Sequence, residues 1–109
     1  MNEREILNQL REDLADYAHH AWTGWMLYLF SKCVKNPDYT MTIPAWAAER
    51  WHRQATTGYP DLPEEEKGSD REEAERMLAI FESHSQKLRQ WLSTQAAVGA
   101  VLEAVEGVK

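Results

Sequence analysis

A chain of 109 residues with 12 basic against 18 acidic side chains, net charge −6, lacks the basic surface that general nucleic-acid binding needs. Hydrophobic residues make up 43% and aromatics 10%, with five Trp, which is material for one modest core and excludes wholesale disorder. The single Cys33 excludes an internal disulfide, and the apolar run Trp22 to Phe30 is far shorter than the roughly 20 residues of a membrane span. The start M-N-E-R-E is polar and acidic and reads as no signal peptide. A soluble, cytoplasmic single domain over 1–109 is the expectation.

Residues 3 to about 33 read as one long helix. Leu7, Leu10, Leu14, Tyr17, Ala21 and Tyr28 recur at steps of three and four, with Ala18, Trp22, Trp25 and Leu29 on an adjoining stripe. Arg4, Glu5, Arg11, Glu12 and Asp13 read as a solvated face. Asn36-Pro37-Asp38 signals a turn. Helix two is expected from Thr42 as cap, with Pro44 in its first turn, to about Ala55. It places Trp46, Ala47, Arg50, Trp51 and Gln54 on one side, and Glu49, His52 and Arg53 on another.

Gly58 to Arg71 (G-Y-P-D-L-P-E-E-E-K-G-S-D-R) reads as an ordered, Pro-rich connector. Pro63 followed by Glu64, Glu65 and Glu66 is one helix-start signal, and Ser69 or Asp70 a second. Helix three is expected from near Ser69 to about Leu92. Its stripe comprises Ala74, Met77, Leu78, Phe81, Leu88, Trp91 and Leu92, with His84 in a gap. Residues 93–109, Ala- and Val-rich, read as a short C-terminal helix folded back or used as a contact surface between copies.

The string Tyr59, Leu62, Pro63, Glu65 or Glu66, Lys67, Asp70 and Arg71 resembles the signature of the RyR domain, a small helical repeat found in ryanodine receptors and singly in bacterial and bacteriophage proteins. Ala18-His19-x-x-Trp22 is similar to the early helix of that family. The resemblance is strongest at 58–71 and spans about 14–81. It implies a helical domain in which Glu66-Lys67 and Asp70-Arg71 knit the connector to the helices. It also implies an accessory protein of phage or prophage type, hence the host cytoplasm as location. Receptor repeats are associated with adenine nucleotides and pack in pairs, which implies a nucleotide-type ligand or a homodimer.

Other chemistry finds little footing. Asp16-x-x-His19 and Glu49-x-x-His52 have the spacing of di-iron ligands, but nothing singles out the two further glutamates. Cys33 with His19 or His20 lacks the ligand spacing of a zinc site. Glu72-x-x-Glu75 lacks the acidic partner motif of helical pyrophosphohydrolases, and no nucleophile motif is present. No metal, no cofactor and no catalysis are therefore expected. Arg50, Arg53, Lys67 and Arg71 near Tyr59, Trp46 and Trp51 would suit a phosphorylated, stacking ligand. The leading expectation is a non-enzymatic interaction module, a homodimer, and the alternative is a binder of such a ligand. The fold expectation is all-α, three main helices and a short fourth, around Leu14, Trp22, Trp25, Trp51, Leu62, Leu78 and Phe81.

Overall fold

The computed structural model describes the backbone of residues 2–108 and the side chains of residues 2–106. The chain is all-α: α1 spans Glu3–Lys32, α2 Ala45–Ala55 and α3 Glu64–Val108. Two short strands, β1 (Val34–Lys35) and β2 (Met41–Thr42), pair antiparallel, with Val34 opposite Thr42 and Lys35 opposite Met41. A 3₁₀ turn at Tyr59–Asp61 leads toward α3.

Each boundary has a local cause. Asn2 caps α1 by accepting the Glu5 amide at 2.9 Å, and Glu3 and Glu5 face the positive helix end. Lys32 sits in the last turn, where a cation is favoured. The expected turn forms at Asn36-Pro37-Asp38. Asp38 accepts hydrogen bonds from the Thr40 amide at 3.1 Å and hydroxyl at 2.6 Å, which hold its carboxyl below the usual range. Tyr39, at the tip, takes a left-handed φ of 68° and is 98% exposed.

Three expected boundaries are corrected. Thr42 does not cap helix two: it lies in β2, where its hydroxyl accepts from Asn36, and Pro44 takes the N-cap position with no side-chain cap bond. Helix three starts at the first of its two signals, since the Pro63 carbonyl accepts the Glu66 and Lys67 amides. The Gly58–Arg71 connector is accordingly shorter than expected, its second half being helix. Finally, residues 93–109 form no separate helix within the described range, because α3 runs unbroken for 45 residues. No proline follows Pro63, and Ala96, Ala97, Ala100 and Ala104 are strong helix formers. Thr94 bonds back to the Gln90 carbonyl at 3.0 Å, so its hydroxyl is satisfied inside the helix.

The chain divides into two compact units. One combines α1 through Asp16 with α3 from Arg76 onward; the other is Tyr17–Glu75. In the first, the start of α1 lies against α3, where Asn2, Glu5 and Ile6 line a cleft with Gln90, Trp91 and Thr94. Ile6 is 2% exposed and supplies the apolar centre. In the same unit His84 is buried, and its Nε2 lies 2.6 Å from Asp13 Oδ2. Asp13 is thus a partner of a buried imidazole rather than only part of a solvated face.

In the second unit Ala47 is fully buried, on the same helix as two members of an aromatic cluster. Trp51 meets Trp25 edge-on, with centroids 5.4 Å apart at 74°, and lies tilted against Tyr28 and Trp46 at 6.3 and 6.5 Å. The Tyr17 hydroxyl donates to Glu73.

The expected core is only partly realised. Leu14, Trp51 and Leu62 are half-buried, but Trp22, Trp25, Leu78 and Phe81 are 57, 45, 55 and 50% exposed. Helical periodicity reports which side chains share a face, not whether another surface covers that face.

Candidate functional site

The basic and aromatic residues singled out from the sequence all fall in the Tyr17–Glu75 unit. Two groups form. Around the 3₁₀ turn, Arg71 Nε donates to the Tyr59 hydroxyl at 3.1 Å, and Arg71 Nη1 lies 2.9 Å from Glu64 Oε2. Lys67 Nζ lies 3.6 Å from Glu64 Oε1 and 5.7 Å from the centroid of the Tyr59 ring. The second group joins α2 to α3. Arg53 reaches both oxygens of Glu66, at 2.7 and 3.4 Å, and Gln54 Nε2 donates to Glu66 Oε1 at 2.7 Å.

These contacts set the electrostatics. The Arg71 hydrogen bond holds the Glu64 carboxyl below the usual range, and the Arg53 bond followed by the Gln54 bond does the same for Glu66. Arg53 is raised by its bond to Glu66, and Arg71 by its bonds to Glu64 and Tyr59. Glu66 is the better shielded acid, 13% exposed against 75% for Glu64. Arg53, Lys67 and Arg71 are therefore each matched to a carboxylate of the segment 64–66.

A pH dependence follows. A carboxyl whose folded pKa is depressed stabilises the fold above its unfolded value, and that contribution is lost as pH falls through the folded value. The melting temperature should fall as pH drops below about 4.3, the unfolded glutamate value. Glu66→Gln should melt lower than the parent at pH 7 and show a smaller further drop over the acid range. An E66Q variant with the full acid-induced drop would show that this pairing is not its source.

Arg50 differs from the other cations. It makes no hydrogen bond or ion pair among the described residues, acts on Glu66 only through its charge, and lines a cavity of about 430 Å³. Trp25, Trp51 and Leu62 supply apolar walls there, and Glu65, Glu66 and Asp70 the carboxylates. Trp46 does not line this cavity but shares a second, open face of α2 with Glu49, Arg50, His52 and Arg53, so Arg50 borders both. His19 stacks on Trp22 at 5.7 Å and 26°, on an exposed part of α1. The motif residues Leu62, Glu66 and Asp70 line the cavity, Tyr59, Lys67 and Arg71 form the turn group, and Pro63 starts the helix.

Gln54, Glu65 and Ser69 also line the cavity; Gln54 and Ser69 are absent from the candidates expected from sequence, and Glu65 is there only as the alternative to Glu66 in the motif. The available signal is spacing: Glu65, Glu66, Ser69 and Asp70 stand at i, i+1, i+4 and i+5, which is one face of a helix. It becomes readable only once α3 starts at Glu64. Among the described residues, no three His, Cys, Asp or Glu converge as a metal-ligand set, and no helix is long and apolar enough to cross a membrane.

Comparison with family models, with curated proteins and with solved structures finds no match for this chain.

Proposed function

We propose that this chain is a non-enzymatic interaction module that pairs with a second copy of itself through the apolar face of α3. The supporting observation is the continuity of α3. Because the helix does not break, Met77, Phe81, His84, Leu88, Trp91, Gln95, Val98, Leu102 and Val105 alternate steps of four and three, a heptad seam of one face. The first part of α1 covers only the middle of that seam, where His84 is buried and Leu88 and Trp91 are half-buried. Both ends stay open: Met77, Leu78 and Phe81 on one side, and Leu92, Val98, Val101, Leu102 and Val105 on the other, are 48–62% exposed.

The area involved fits a pair of copies. Burying a Val, Leu, Phe or Met side chain is worth about 1.5–3 kcal/mol at about 25 cal/mol per Å², or roughly 60–120 Å² each. Eight such side chains, half exposed, offer roughly 250–500 Å². A standard interface removes about 800 Å² per partner, of which a little over half is apolar. A second copy supplies a seam of matching length and spacing.

The resemblance to RyR repeats supports an accessory role of the phage or prophage type. The second reading, a phosphorylated nucleotide-type ligand on Arg50, Arg53, Lys67, Arg71, Tyr59 and Trp46, has weaker support. It requires Arg53, Lys67 and Arg71 to exchange carboxylate partners for phosphate.

Removal of residues 96–109 tests the self-association reading. The shortened chain should lose self-association while circular dichroism reports the rest of the helix intact. Retained self-association would place the interface elsewhere.

A further inference from the structure

We infer that the cavity between Trp25, Trp51 and the first turns of α3 is a binding site for an organic cation, an alkyl-ammonium or guanidinium head group with an attached chain. This goes beyond the pairing of α3 and rests on different residues. The cavity, about 430 Å³, lies in the range of small-ligand sites.

Its walls and its charges agree on the sign of the ligand. Trp25 and Trp51 stand almost at right angles, 74° apart, so two indoles bound the space from different directions. Indole rings attract cations through their quadrupole, more strongly than the other aromatic side chains do. Glu66 is matched by Arg53 and Gln54. Glu65 and Asp70 make no hydrogen bond or ion pair among the described residues, and against Arg50 alone they leave the cavity net negative. Arg50 favours an anion, but it is outnumbered: an anion would also meet two unmatched carboxylates, whereas a cation meets two acceptors and two ring systems. Ala55 and Leu62 add apolar surface for an alkyl chain.

Two sources share this chemistry: a small free amine and a Lys or Arg side chain of another protein. The test is a titration of the full chain followed by the indole N–H signals in ¹H–¹⁵N NMR. Methylguanidinium and tetramethylammonium chloride serve as small probes, acetyl-lysine-methylamide and a short Lys/Arg peptide as side-chain probes, and sodium chloride as ionic-strength control. The expected result is saturable movement of the Trp25 and Trp51 signals alone, weakened about tenfold or more by Glu65→Gln with Asp70→Asn. Both acids are exposed at the rim, so this variant should keep the helical circular dichroism of the parent. Tighter binding of the peptide than of the small ions assigns the site to a basic side chain, and the reverse assigns it to a free amine. Movement matched by sodium chloride, or unchanged in the double variant, overturns the proposal. The α3 pairing is untouched by that failure, since none of these residues lies on its seam.

Discussion

If the chain pairs through α3 as proposed, placing glutamates at Val98 and Leu102 should convert it to a monomer without unfolding it. Both side chains lie on the open end of the α3 seam, 48 and 57% exposed. In a single chain the change is mild, since exposed substitutions stay within about 0.5 kcal/mol and glutamate favours helix over valine. In a pair of copies it is severe. Two charges per chain would be buried without partners, each costing several kcal/mol, on chains that already repel through a net charge of −6. A loss of about 4 kcal/mol corresponds to a dissociation constant weakened roughly a thousandfold. Light scattering across concentration, with circular dichroism alongside, reads both halves of this expectation. An unchanged mass in the double variant would move the interface off this face.

Trp51→Ala should be the most damaging single change in the Tyr17–Glu75 unit. Trp51 holds the aromatic cluster together, touching Trp25, Tyr28 and Trp46 at once. Truncating a packed Trp costs about 3–5 kcal/mol, and stacked or edge-on ring pairs add to that. For a domain of this size each kcal/mol lowers the melting temperature by about 4–8 °C, so the loss should exceed about ten degrees. Trp22→Ala is the matched control. Trp22 is 57% exposed with His19 as its ring neighbour, and its removal should cost no more than about 1 kcal/mol. Thermal melts separate the two cases. Equal losses from both substitutions would mean that the cluster is not organised by Trp51.

The contrast between these tryptophans shows what the sequence carries and where it stops. Local signals are legible: the Asn36-Pro37-Asp38 turn and the helix-start signal at Pro63 each depend on a few neighbouring residues, but which of the two start signals α3 uses is not. The helical stripes are legible too. Which stripe is covered is not, because Trp22 and Trp51 satisfy the same spacing rule and only the position of other elements separates them. The continuation of α3 past Leu92 is hard to read because Ser93, Thr94 and Gly99 look like breakers, whereas their cost is small beside the alanines around them.

The candidate site divides in the same way. The charged residues are visible in the sequence, and so is the one-turn spacing of Lys67 and Glu64, but the other partners lie seven to thirteen positions away, at Arg53–Glu66, Tyr59–Arg71 and Glu64–Arg71. A set of cations on two helices reads as a phosphate site until those pairings are known. With the pairings in place, the unmatched groups that remain at the cavity are mostly acids.

The mass of the intact chain in solution, measured by light scattering at high micromolar concentration, tests the central claim most directly. Pairing through α3 predicts twice the 12.7 kDa of one chain, falling toward a single chain on dilution. A mass of 12.7 kDa at every concentration would contradict it.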